Sequence, residues 1–182
     1  LFDRMAAAGA LTPDLMIGLA DMIARFHGEA PVRRGGGAAN IAAVLDINDA
    51  GFATSDLFEQ DALARLEAGF RRALSRHAAL LDRRAEAGLL RRCHGDMHLR
   101  NICLLDGEPR LFDCIEFNEA IATVDVLYDL AFLLMDLWHG GFADHTSLVA
   151  NRYLDRTGDE EGFVPLPFFM AVRAAVRAHV TA

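Results

Sequence analysis

Apolar residues recur along most of this chain at helical spacing. Thr12-Pro13-Asp14 is a helix start, with a hydroxyl to cap, a proline at the first helical position and an acid in the first turn. Leu15, Leu19, Met22, Ile23 and Phe26 then mark one face as far as about His27. Pro31 and Gly35-Gly36-Gly37 interrupt the pattern. The glycines fit neither G-x-G-x-x-G nor a P-loop, and no strand precedes them, so they read as a flexible connector. Residues 38–46 read as a short helix. A long one opens at Asp56 or Asp61, runs to about Ala87 and stops at Gly88. Its apolar side carries Leu63, Leu66, Phe70, Leu74 and Leu81, and its arginine pairs Arg71-Arg72 and Arg83-Arg84 read as a solvated face.

The period then changes. Residues 89–93 form a short strand candidate, and 102–105 and 110–112 flank Asp106-Gly107, a hairpin turn pair. Residues 123–138 are apolar almost all round, which predicts a buried helix, with Asp125 and Asp129 four apart on one face. Buried carboxylates need donors. A helix over 144–156 follows the Gly140-Gly141 stop. A last helix follows Pro165 and Pro167, with Phe168, Phe169, Val172, Val176 and Val180 inward and Arg173 and Arg177 outward. The fold class is mostly α (α+β) with a small β-hairpin.

Composition adds three constraints. The 182 residues are 53% hydrophobic, enough for one domain with a real core. A net charge of −8 argues against nucleic acid as a partner; an acidic surface could attract a cationic substrate, although solubility is its ordinary use. No apolar run is long enough for a membrane and no signal peptide is present, so the expected setting is cytoplasmic, with no membrane partner. All 18 basic residues are arginine, so no lysine can meet a nucleotide phosphate. Cys93, Cys103 and Cys114 lack paired spacing and suit a reducing compartment.

Polar chemistry concentrates in H-G-D-M-H-L-R-N, from His94 to Asn101, held between two strand candidates. Asp96 and Asn101 stand in the D-x-x-x-x-N spacing of a kinase catalytic loop, and Asp113 closes the run Arg110-Leu111-Phe112-Asp113. Such spacing serves phosphoryl transfer: one carboxylate takes the proton of an attacking hydroxyl, while an amide and a second carboxylate hold Mg²⁺ against ATP. A second class is a metal-dependent hydrolase built on Cys93, His94, Asp96 and His98, although it gives no reason for Asn101 or Asp113. A third is a catalytically silent, kinase-like regulatory or binding module.

The stretch H-G-D-M-H-L-R-N-I resembles the H-G-D-x-H-x-x-N motif of the aminoglycoside phosphotransferase and choline kinase-like family, which shares the protein kinase-like fold. L-F-D-C-I-E-F-N and V-D-V-L-Y-D-L-A-F-L-L-M-D-L are similar to a branch often fused to a P-loop ATPase or kinase domain. The resemblance is strongest over 93–138. It implies that Asp96 is the catalytic base and that Asn101 and Asp113 are Mg²⁺ ligands. It implies loop support from His94, His98 and Asp125, a substrate or metal assist from Glu116, and a merely structural Asp129. Its cofactors would be Mg²⁺ and ATP, and its substrate a small molecule with a hydroxyl group. Nothing before Leu89 has the glycine-rich hairpin or lysine strand of a nucleotide-binding N-terminal lobe. The expectation is therefore a partial domain over 1–182, the helical C-terminal lobe truncated at both ends, inactive as an isolated fragment.

Overall fold

The computed structural model describes residues 1–54, 57–115 and 122–181; Asp56 and Glu116 lie outside the described residues. Helices α1 (Phe2–Ala7), α2 (Pro13–Glu29), α3 (Gly37–Phe52) and α4 (Gln60–Glu86) come first, with the two-residue strand β1 (Val32–Arg33) between α2 and α3. Strands β2 (Leu90–Arg92), β3 (Ile102–Leu105), β4 (Glu108–Leu111) and β5 (Thr123–Asp125) follow. Helices α5 (Val126–His139), α6 (Ala143–Thr157) and α7 (Leu166–Thr181) complete the chain. The protein is mostly helical.

Thr12 caps α2 as its sequence predicts, its Oγ1 accepting from the Leu15 N–H at 3.3 Å. At the other end of α2, Arg91 Nη1 donates to the carbonyls of His27, Gly28 and Ala30, satisfying oxygens a helix C-terminus leaves open. The last glycine of the triplet is a packing contact rather than part of a loose connector, while a Cβ at Gly36 would meet nothing within 4 Å. Gly37 is the first residue of α3, and a Cβ there would sit 2.0 Å from the Leu81 carbonyl oxygen of α4. No side chain fits, so the α3–α4 approach itself requires glycine.

Two sheet elements escape the hydrophobic pattern. β2 is the middle strand of an antiparallel sheet ordered β1-β2-β5. Val32 pairs with Arg91, and Leu90 pairs with Asp125. Residues 123–125, read as helix from sequence, are thus strand, and α5 begins only at Val126. Strands this short have no period to detect. The hairpin β3–β4 turns through Asp106 and Gly107 with φ of 52° and 81°, the paired positive values of a type I′ turn.

α5 is the core. Every residue from Val126 to Leu137 is buried, with α6 and α7 packed on it. Burial of its Leu, Phe, Tyr and Met side chains supplies most of the drive to fold there, roughly 1.5–3 kcal/mol for each large side chain.

Two arginines assigned to solvent are inside. Arg84 is 2% exposed. Its guanidinium donates Nε and Nη2 to Asp125 at 2.7 and 2.9 Å, and Nη1 and Nη2 to Asp159 at 2.7 and 2.8 Å. Arg173, on α7, is 5% exposed, with its guanidinium 3.9 Å from the Tyr128 ring centre and 4.9 Å from that of Phe132. A planar, weakly hydrated cation stacks on aromatic faces, which is why helical periodicity misplaced it. Val180, expected inward, is exposed because α7 runs past the core there.

Arg84 tests this account of the interior. Arg84→Ala strands the Asp125 and Asp159 carboxylates, and should lower unfolding stability by about 3–5 kcal/mol in denaturant titration. A loss below about 1 kcal/mol would show that the pairs are not buried as described.

Candidate active site

The loop from Cys93 to Leu99 joins β2 to a single 3₁₀ turn, Leu99–Asn101, that enters β3. It holds no regular ladder, so its backbone groups need other partners. Asp129 of α5 supplies two: Oδ2 accepts from the His94 N–H at 3.2 Å, and Oδ1 from the Gly95 N–H at 2.8 Å. Asp136, on the same face two turns on, accepts from the Leu99 N–H at 3.0 Å. Two acids inside an apolar helix therefore clamp both ends of the loop. Gly95 has φ of 84°, and a Cβ there would fall 2.9 Å from Ile115 Cδ1, so the turn before Asp96 admits no side chain.

Asp129 is fully buried. Burial opposes its ionisation, yet the hydrogen bond from His27 and the nearby charge of Arg173 outweigh that and hold it below the usual carboxylate range. His27 Nε2 lies 3.1 Å from Oδ2, and its Nδ1 lies 2.8 Å from the Tyr153 hydroxyl. With Nε2 donating to the carboxylate, Nδ1 accepts from the tyrosine.

His94 is committed at both ring nitrogens. Nδ1 accepts from the Asp96 N–H at 3.3 Å, and Nε2 donates to the Phe112 carbonyl at 2.8 Å. It thereby staples the loop to the segment that carries Asp113, helped by the Ile115 N–H to His94 carbonyl bond at 3.0 Å and Phe112 N–H to Asn101 carbonyl bond at 3.1 Å. The hydrolase reading fails here, because His94 has no lone pair left for a metal. Cys93 is spent as well: it is buried, its thiol is pushed far up by burial and by Asp129 and Asp125, and Sγ donates to the Val124 carbonyl at 3.7 Å. Among the described residues one trio of metal-capable groups converges, His27, Cys93 and Asp129, within 4.8 Å. His27 and Asp129 bind each other there, so the trio is a hydrogen-bonded piece of core.

Asp96 is half-buried, with 40% of its side chain exposed. Oδ2 lies 3.4 Å from His98 Nε2 and accepts from Asn101 Nδ2 at 3.1 Å. The hydrogen bond from His98 is the main reason its carboxyl sits below the usual range; burial opposes this, while Asn101 and the Arg173 charge add to it. Asn101 Nδ2 also donates to the Asp96 carbonyl at 2.9 Å. Its amide protons thus stay within the loop, and Oδ1 is what it can offer a hard cation. Asp113 is exposed, at φ of 60°, and makes no hydrogen bond or ion pair among the described residues. A left-handed non-glycine residue costs of order 1–3 kcal/mol, and such positions gather at functional sites. An amide oxygen and an open carboxylate are the kind of hard donor that suits Mg²⁺.

The structure thus brings Asp96, Asn101, His94 and His98 into one hydrogen-bonded loop and ties the Asp113 segment to it. Asp125 is not part of that loop. Its carboxylate caps α5 at the Leu127 N–H, 2.8 Å away, and pairs with Arg84. The loop-bracing acids are Asp129, read from sequence as structural, and Asp136, read from sequence as structural or exposed. One signal was there: 129 and 136 are seven apart, two helical turns, in an otherwise apolar run.

A depressed carboxyl gives stability that is complete above its unfolded value, near 3.9, and is lost as pH falls through the folded one. Asp129→Asn removes that contribution and leaves the His94 N–H facing an amide. It should cost about 3 kcal/mol or more near neutrality and flatten the acid limb of the stability curve below about pH 4. Parallel stability–pH curves for the two proteins would contradict the clamp.

Three curated relatives, uncharacterized proteins from two strains of Mycobacterium tuberculosis and from Mycobacterium bovis, are each 31% identical to this chain over 182 residues. The match covers 97% of the chain but 36% of each relative, so the chain spans about a third of their length. No solved structure matches it significantly. No described helix is long and apolar enough to cross a membrane. Residues 4–166 match the phosphotransferase enzyme family, and with nearly the whole chain inside that match, the protein belongs to it.

Proposed function

We propose that this chain is the helical C-terminal lobe of a protein kinase-like small-molecule kinase, which moves the γ-phosphoryl group of ATP to an alcohol. The observation that carries the reading is the Asp96 carboxylate. It is ionised by its neighbours, half open to solvent, and fixed by a loop that α5 clamps from below. A general base must be in place before substrate arrives, and this one is.

In the step itself, Asp96 accepts the proton of the substrate hydroxyl. The hydroxyl oxygen forms its bond to the γ-phosphorus as the bond to the β,γ-bridging oxygen breaks. ADP leaves with that electron pair, and the proton passes from Asp96 to solvent. Asn101 Oδ1 and the Asp113 carboxylate are the groups that would hold Mg²⁺, whose charge offsets that of the phosphates. His98 holds the base in place through Oδ2 and packs edge-on against the Phe132 ring, with centroids 5.4 Å apart. His94 works through geometry, keeping base and metal segments at one spacing.

The grip on ATP falls to parts of the protein other than these helices, since no lysine is present to meet the phosphates. The greater length of the relatives is compatible with an N-terminal lobe and an attached P-loop domain. The setting we infer is the cytoplasm, where ATP and Mg²⁺ are plentiful.

In the full-length protein, Asp96→Asn should lower kcat by about 10²-fold or more with the thermal transition unchanged. Near-wild-type turnover would remove Asp96 from its role, and no turnover in the wild-type protein would favour a silent module. Asp113→Ala should abolish the Mg²⁺-dependent part of nucleotide binding in calorimetry. Unchanged Mg²⁺ dependence would take the metal away from Asp113.

A further inference from the structure

Beside Asp96 lies an open hollow of about 140 Å³. It is lined by Asp96, His98 and Arg100 of the loop, by Phe132 of α5 and by Val176, Arg177 and Val180 of α7. A hydroxyl within reach of Asp96 would have room for the rest of its molecule there.

Apart from the base, no acid lines the hollow among the described residues. Two guanidinium groups face it. Arg100 is exposed and makes no hydrogen bond or ion pair among the described residues. Arg177 is set in position by Asp136, with Nη1 3.0 Å from Oδ1. One turn before Arg177, the buried Arg173 stacks beneath Phe132, and its Nη2 makes no hydrogen bond. Arg173 and Arg177 are each paired with an acid, Asp129 at 3.7 Å and Asp136 at 3.0 Å, so the charge left over at the hollow is that of Arg100, beside the Asp96 base. Charges within a few ångströms outweigh distant surface ones that salt screens. A guanidinium fork matches a carboxylate or phosphate.

We propose, resting on the phosphotransferase reading above, that the acceptor is a small hydroxylated anion. Its acidic group is held by Arg100 and Arg177, and its carbon chain lies on Phe132, Val176 and Val180. A carboxylate and a phosphate share this recognition.

The test uses the full-length protein with three acceptors on one carbon skeleton: glycerate, glycerol 3-phosphate and glycerol. Choline and an aminoglycoside serve as cationic contrasts. Binding is read by calorimetry without nucleotide, and transfer by kcat and KM with Mg²⁺ and ATP. One or both anions should bind and surpass glycerol by about tenfold or more in kcat/KM; which of the two does so identifies the acidic group. Arg100→Gln and Arg177→Gln should each raise the anion's KM by about tenfold or more, the usual scale for a lost charged hydrogen bond, and leave the KM of ATP unchanged. Arg177 also holds Asp136, so Val180→Asp provides a check that spares both arginines. It adds an acid at the exposed end of α7 and should erode the preference for anions with no change in thermal transition. Better use of choline or the aminoglycoside, no anion binding at all, or a rise in the KM of ATP in the arginine variants would each overturn the proposal. Arginine-dependent anion binding without phosphate transfer would support this anion site and defeat the phosphotransferase reading. Transfer to choline with no anion binding would do the reverse.

Discussion

A carboxylate with no exposed surface, Asp129, accepts from two backbone N–H groups of the loop that carries Asp96, and the arrangement of the candidate site follows from that contact. An acid in the middle of an apolar helix is costly unless every lone pair is used. Here the cost is offset by His27, by the His94 and Gly95 amides and by the nearby charge of Arg173, whose Nη2 is 3.7 Å from Oδ1. The same bonds that make the acid tolerable in the core give the loop a fixed place. Asp136 repeats the device at Leu99. Geometry set by buried groups does not loosen when substrate or water comes and goes, and positioning of that kind is what phosphoryl transfer asks of a protein.

Buried charge is also how the helices around α5 are registered. Arg84 joins the end of α4 to Asp125 at the start of α5 and to Asp159 after α6. Arg173 joins α7 to the Tyr128 carbonyl and the faces of Tyr128 and Phe132. Apolar contacts alone would let these helices slide. Directional guanidinium bonds favour one register, and through α5 that register reaches Asp96.

Much of this was legible in the sequence because its signals are local. Thr12-Pro13 marks a helix start, Asp106-Gly107 marks a hairpin, and the D-x-x-x-x-N spacing of Asp96 and Asn101 marks a loop whose two side chains hydrogen-bond to each other. The rest was not, because it rests on pairings across the chain. β1 and β5 are too short to show alternation and exist only through their register with β2. The role given to Asp125 belongs to Asp129 because β5 and α5 meet at Asp125, which turns it toward Arg84 and the α5 cap. Arg84 and Arg173 looked exposed because helical periodicity counts charge as polar and cannot see a partner more than 40 residues away. Glycine at 37 read as slack, although its partner at Leu81 leaves room for nothing larger.

α5 holds the loop that carries Asp96 through side-chain oxygens. Backbone amide hydrogen exchange at Gly95 and Leu99 measures it directly, in the wild type and in Asp129→Asn and Asp136→Asn. Those amides should be as protected as core helix amides in the wild type. Gly95 should lose protection in the first variant and Leu99 in the second, with the amides of α5 itself little changed. Fast exchange of both amides in the wild type, or equal protection in all three proteins, would mean that the loop is held by something else.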